Sequence, residues 1–331
     1  MNRKELMDAV FQGRVEDRVP SAFWFHFSPD AESSDALKNP EAAKRNFEGH
    51  RRYIQSFQPD LVKVMSDGFF FYPLDSPVRT AADLNRAVTP LSDRHPWIEA
   101  QVDLLGKVVG VDPDAYCFYN VFSPLNTLRF TIGRLAAVNF LLESPEIMRE
   151  CLLKIGEGLS RLARAQIERG GAEGIYLSVQ NPDTGLFSED FYAACVAPSE
   201  RMVLDAAAGA GGRNILHICG YAGVKNHVPF YASYDADVYN WAVNVEKVSL
   251  KEGRRMFPGK VLLGGFPNAP GSVIHQGGQK EIRAFAEGIV REAGPERLVI
   301  GADCTVPNDI SLERLGWARE GGRLKRPGGS T

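Results

Sequence analysis

Val261-Leu-Leu-Gly-Gly-Phe266 is a short apolar run, Gln279–Ala293 follows it with apolar residues at helical spacing, Gly294-Pro295 stops that helix, and Arg297-Leu-Val-Ile-Gly-Ala302 is a second short apolar run. A strand, a helix closed by Gly-Pro and another strand make one βα repeat. Nearly continuous apolar runs suit a parallel sheet covered on both faces. The same alternation extends back through the chain. Six further runs precede these two: Ser21–Phe27, Asp60–Met65, Ala115–Phe122, Gly174–Val179, Asn214–Cys219 and Asp237–Val243. Helical patterns lie between them. One covers Pro40–Phe57, one runs from a Ser144 cap with Pro145 in its first turn toward Gly170-Gly171, and one covers Ser188–Ala208. Eight strands alternating with helices predict an α/β fold of the (β/α)8 TIM-barrel class in a single domain. A doubly wound sheet would need a Gly-rich phosphate loop after its first strand, and Phe25-His26-Phe27-Ser28-Pro29 is not one. Gly209–Gly212 comes before a run rather than after one and reads as a helix-to-strand turn. The expected organisation is one barrel over residues 1–318, then a Gly-, Arg- and Pro-rich tail, 319–331, expected to be disordered.

Composition narrows the function. The 331 residues are 44% hydrophobic, enough for a large core. Net charge is -3 with acids and bases interspersed, and no basic stripe supports nucleic-acid binding. No apolar stretch has the length of a membrane span. Met1-Asn-Arg-Lys-Glu5 leads into an amphipathic helix pattern without the apolar core of a signal peptide. The five cysteines are sparse and lack framework spacing, which suits a reducing compartment. A cytoplasmic location is therefore expected.

In such a barrel the C-terminal ends of the strands line the active site. That rule selects His26, Asp67, Asn120, Phe122, Gln180, Asn181, His217, Cys219, Asn240, Trp241, Phe266, Asn268, Asp303 and Cys304. His217 and Cys219 are two apart on a strand pattern and so share a face. Cys304 follows the last strand, three strand steps away around the ring. An imidazole and two thiolates suit zinc, and three protein ligands leave the fourth position open, as in catalytic sites. On spacing alone the alternative stays open that these are small core cysteines. Asp67 reads either as an acid/base or substrate anchor at the mouth or as a turn aspartate before Gly68. His26, Asn120, Gln180, Asn181 and Asn240 are the expected substrate contacts. Trp24 and Phe69-Phe-Phe-Tyr72 form an aromatic-rich rim. Cys117, Cys151 and Cys195 read as buried small hydrophobes, and His50, His95, His227 and His275 receive no role.

Several segments together resemble the uroporphyrinogen decarboxylase superfamily over nearly the whole chain. They are Arg18-Val-Pro20, Val64-Met-Ser-Asp67, Ser123-Pro-Leu-Asn-Thr-Leu128, Leu216-His-Ile-Cys-Gly220, Asp237-Val-Tyr-Asn-Trp-Ala-Val243, Leu263-Gly-Gly265 and Gly301–Pro307. The resemblance implies a (β/α)8 barrel and one of two activities. One is metal-free decarboxylation of acetate side chains on a porphyrinogen. The other is zinc-dependent methyl or alkyl transfer to or from a thiol or a corrinoid. Phe23-Trp-Phe-His-Phe-Ser-Pro-Asp30 lacks the arginines that decarboxylases carry there, and many substrate carboxylates need such planar cationic forks. Cys304 stands where decarboxylases have a His, whereas Asp67 does have a counterpart in them. The zinc methyltransferases match better, with His217, Cys219 and Cys304 as the implied ligands. Asn240-Trp241 stands where some members have an acidic residue, so the fourth ligand is water, the substrate or Glu246. The resemblance therefore implies methyl transfer between a small methylated substrate or thiol and a corrinoid (cobalamin). No Asp-x-His-x-x-Gly segment occurs, so a separate partner protein would carry the corrinoid. A decarboxylase using Asp67, or a non-catalytic metal- or corrinoid-binding relic, remain the alternatives.

Overall fold

A computed structural model describes residues 1–180, 185 and 187–324. Eight strands lie side by side: β1 (Ser21–Ala22), β2 (Leu61–Val64), β3 (Tyr116–Phe122), β4 (Gly174–Val179), β5 (Ile215–Ile218), β6 (Val238–Trp241), β7 (Val261–Phe266) and β8 (Leu298–Ala302). All pairs are parallel, in the order β1-β8-β7-β6-β5-β4-β3-β2, with helices between successive strands. This is the expected (β/α)8 barrel. Alternate residues of each strand point inward. Leu61, Tyr116, Phe118, Tyr176, Ile215, Val238, Val261, Leu263 and Val299 form one buried cluster with Ala22 and Trp24. The first helix, Arg3–Gln12, adds Met7 and Val10 to the same cluster and so plugs the end where the strands begin. Its entry is fixed by a capping box between Asn2 and Glu5, and its exit by Gly13 at φ 75°.

The barrel has a seam. β1 pairs with β8 but no ladder joins it to β2. Two aspartates flanking β2 supply the missing hydrogen bonds. The Asp60 carboxylate accepts from the Ser21 amide (2.9 Å) and from the two terminal Arg18 guanidinium nitrogens (2.7 and 2.6 Å). At the other end the Asp67 carboxylate accepts from the amides of Phe27 (2.7 Å) and Ser28 (3.2 Å) and from His26 Nδ1 (2.8 Å). Between them, Tyr53 donates to the Phe23 carbonyl at 2.8 Å. This explains why the first strand, expected over Ser21–Phe27, is only two residues long. Its later backbone groups are satisfied by these side chains and, at the Trp24 carbonyl, by the Val306 amide beyond β8 instead of by β2.

The helix Pro40–Phe57 and the helix Gln279–Ala293 have the expected bounds. Ser144 stands at the N-cap of Pro145–Glu168, but its side chain makes no capping hydrogen bond. The helix expected over Ser188–Ala208 is two, Glu189–Cys195 and Ala197–Gly209, with Pro198 in the first turn of the second. Proline has no N–H to continue the first helix, and its ring clashes with the preceding turn. Order also runs past residue 318. The last helix covers Leu312–Gly321, Arg323 bridges to Arg18, and the Arg319 guanidinium lies 4.1 Å from the Phe57 ring while donating to the Phe57 and Gln58 carbonyls. Residues 325–331 of the expected tail lie outside the described residues. Among the described residues, no helix is long and apolar enough to cross a membrane.

Candidate metal centre

His217 faces the barrel interior from β5, where its register partners are Ser178 on β4 and Asn240 on β6. That register decides the state of its ring. Asn240 Nδ2 donates to the carbonyls of Leu263 (2.8 Å) and Ala302 (3.2 Å), which fixes the amide with its oxygen toward His217. Asn240 Oδ1 then accepts from Tyr176 Oη at 2.8 Å and from His217 Nδ1 at 2.5 Å. Nδ1 is therefore the ring's donor to Asn240, and in the neutral imidazole Nε2 carries the lone pair. His217 Nε2 is buried and has no hydrogen-bond partner among the described residues.

Two thiols meet that lone pair. Cys219 leaves the end of β5, its amide held by the Val179 carbonyl at 2.9 Å. Its own carbonyl accepts from Asn226 Nδ2 at 2.8 Å, and Glu246 grips the Asn226 amide with both carboxylate oxygens at 3.0 Å. Cys304 follows β8 behind Asp303, whose carboxylate accepts from the Asn244 amide and side chain, each at 2.9 Å. Burial raises the Asp303 carboxyl to about 6, with the Asn244 hydrogen bonds acting against the shift. The two sulfurs are 4.0 Å apart, and the donor atoms of His217, Cys219 and Cys304 all lie within 4.8 Å of one another. The hydrogen bond shared by the thiols holds Cys304 well below its ordinary value and pushes Cys219 well above it, with burial adding to the rise.

The arrangement fits zinc. Thiolates about 2.3 Å from a tetrahedral ion lie roughly 3.8 Å apart, close to the separation seen here. An imidazole nitrogen without a partner, buried against two sulfurs, is the donor set zinc prefers. The Asn240 amide behind Nδ1 is the outer partner that ligating histidines normally have. Asn240 was expected to contact substrate, but all its hydrogen-bonding groups are committed to the ring, Tyr176 and two carbonyls. Replacing it with Leu should therefore weaken zinc binding about 10- to 100-fold in competition with a chromophoric chelator. Unchanged affinity would show that Asn240 does not set the ring.

The other expected site residues divide. His26 reaches the mouth with a third of its side chain exposed, and its ring lies 6.2 Å from Phe70. Asp67 is fully buried behind it, and its carboxylate is shared between His26 and the amides of Phe27 and Ser28 at the seam. Asn120 donates to Ser66 Oγ at 2.8 Å and keeps a buried Oδ1 without a partner among the described residues. Gln180 donates to the Tyr221 carbonyl at 3.2 Å and so anchors the loop after β5. Asn181 lies outside the described residues. Glu246 is not in the donor cluster, because its carboxylate is taken by Asn226. Trp241 and Phe266 belong to the outer core between strands and helices, not to the mouth. Of the aromatic rim, Trp24 lies inside the barrel and Phe69 and Tyr72 in the outer core. Phe70 packs on Phe122 and Phe130, with ring centroids 4.7 and 4.9 Å away. Cys117 and Cys151 are buried as expected, whereas Cys195 is half-buried. His50 is structural: its Nε2 accepts from the Met65 amide at 3.0 Å. Lys63 and Tyr176 escaped the strand-end rule because both lie below the mouth.

A family model described as uroporphyrinogen decarboxylase (URO-D) matches residues 73–320, more than half of the chain. The chain belongs to the uroporphyrinogen decarboxylase family. Solved structures share the fold of this family member at low identity. A methyltransferase from Methanosarcina mazei aligns with a TM-score of 0.68 at 14% identity, covering 97% of this chain and 98% of its own. A B12-independent methionine synthase from Shewanella sp. W3-18-1, in complex with selenomethionine, aligns with a TM-score of 0.59 at 12% identity, covering 93% and 95%. The glycoside hydrolase PbGH5A of Prevotella bryantii B14 follows at 0.54 and 11%, covering 98% and 99%. No curated protein sequence matches this family member.

Proposed function

We propose that this protein is a zinc-dependent methyl or alkyl transferase, working between a small methylated substrate or thiol and a corrinoid carried by a separate protein. The observation that carries the reading is the buried, unpartnered His217 Nε2 facing two sulfurs 4.0 Å apart at the barrel mouth. Membership of a family that includes such transferases supports it, as does the similarity in fold to a methyltransferase and a methionine synthase.

Each residue has a separate task. His217 would offer Nε2, fixed as an acceptor by Asn240 and Tyr176. Cys219 and Cys304 would bring two negative charges, and only three protein donors leave one position for a substrate atom. Bound there, zinc would supply Lewis acidity, either keeping a substrate sulfur as thiolate or polarising a leaving heteroatom. His26, held by Asp67, and the free Asn120 Oδ1 are placed to contact the rest of the substrate. The decarboxylase alternative draws on Asp67, whose buried carboxylate is already occupied by His26 and two amides.

The test is transfer from methylcobalamin to a panel of small thiols, followed by loss of the methylcobalamin spectrum. Turnover that a chelator removes and added zinc restores is the expected result. Release of carbon dioxide from a carboxylated tetrapyrrole, indifferent to chelator, would overturn the proposal in favour of a carboxy-lyase. Stoichiometric zinc without turnover of any substrate in the panel would favour the relic.

A further inference from the structure

The inner face of β2 carries a charge. The alternation that turns Leu61 and Met65 into the barrel also turns Lys63 inward, where the residue is 5% exposed. Its ammonium lies 3.9 Å from the centroid of the Tyr176 ring and 5.4 Å from that of Trp24. No carboxylate pairs with it among the described residues. Burial lowers its pKa to about 8, and the charges that act against this are Cys304, Cys219 and Asp67, in that order. Tyr176 connects it to the metal centre. The same ring stands 5.2 Å from the His217 ring, and its hydroxyl donates to Asn240 Oδ1.

We propose that the Lys63 ammonium is the counter-charge built beneath His217, Cys219 and Cys304, and that it makes the centre take an anionic fourth ligand in preference to a neutral one. The proposal rests on the zinc reading above. Two thiolates cancel a divalent ion, and a neutral imidazole adds nothing. The ion, its three ligands and Lys63 together therefore carry one positive charge, while the nearby Asp67 and Asp303 carboxylates are each held by donors of their own. A thiolate or other anion in the open position restores neutrality in a region of low polarity, where an uncompensated cation is costly. A water or an amine leaves that charge unmatched. Aromatic faces stabilise a cation without neutralising it, so the two rings keep Lys63 inside the barrel while its charge stays available to the centre. Lys63 is thus a positioning residue for the charge of the ligand and makes no bond to it.

Cobalt-substituted full-length protein gives the readout. Its visible absorption reports the fourth ligand directly, with thiocyanate as the anionic probe and imidazole as the neutral one. Lys63→Met and Lys63→Gln should weaken thiocyanate binding roughly tenfold or more, while imidazole binding stays within about twofold. Lys63→Arg, which keeps the charge, should retain the preference for thiocyanate. Equal effects on both probes, or no effect on either, overturn the role of Lys63 while leaving the metal reading intact. Failure of the unaltered protein to take up cobalt overturns the metal reading and this proposal with it.

Discussion

Serine in place of Cys219 or of Cys304 is expected to abolish zinc retention. Each substitution leaves one thiolate and His217 Nε2, and a serine hydroxyl stays protonated at neutral pH where a metal-bound thiol does not. Protein purified under reducing conditions without added metal should hold about one zinc per chain, and each variant close to none. The double variant should lose nothing more. Cys195→Ser, at a half-buried cysteine outside the donor cluster, is the control and should keep its zinc. Because the ion binds the folded chain, a chelator should lower the melting temperature of the unaltered protein and leave that of both ligand variants unchanged. Elemental analysis and thermal melts together check this. Full zinc content in either variant would remove that cysteine from the centre.

Asp60→Ala is expected to destabilise the fold by about 3–5 kcal/mol, the range for removing one member of a buried ion pair. The substitution leaves the Arg18 guanidinium and the Ser21 amide without their acceptor, at the one junction of the barrel that no strand ladder spans. Urea denaturation with circular dichroism measures the loss. Asp67→Asn tests the other end of the seam. An amide has a single acceptor oxygen where the carboxylate takes Phe27, Ser28 and His26, so about 2–3 kcal/mol should be lost. Zinc content should be unchanged. An Asp67→Asn protein as stable as the unaltered one, yet inactive, would return Asp67 to the catalytic role that the sequence suggests.

The barrel is legible in the sequence because its strands are buried on both faces, which makes them continuous apolar runs separated by strongly periodic helices. The seam is not legible. Nothing in Ser21–Phe27 says that its neighbour across the gap will be side chains, because that depends on how the ring closes. His217, Cys219 and Cys304 are legible only together, because each thiol alone reads as a small core residue and the family resemblance is what groups them with the imidazole. Asn240 carries no such mark. A strand-end amide reads the same whether it faces the mouth or a neighbouring ring, and only the pairing of His217 with Asn240 across β5 and β6 separates the two. Trp241 and Phe266 were misplaced for a simpler reason. Inward and outward residues alternate, and selecting strand ends without fixing the parity takes in both. Lys63 did leave a signal. A lysine inside Leu61-Val-Lys-Val64, a strand otherwise entirely apolar, is a charge that something in the interior must answer.

The most direct test of the metal centre is X-ray absorption at the zinc edge on protein loaded with one equivalent of zinc. The expected spectrum has two sulfur scatterers at about 2.3 Å and one imidazole nitrogen at about 2.0–2.1 Å, with one further light atom completing four-coordination. Loss of one sulfur shell in Cys219→Ser or in Cys304→Ser would tie the scatterers to those residues. A spectrum of oxygen and nitrogen ligands alone, or protein that takes up no zinc under reducing conditions, would contradict the account.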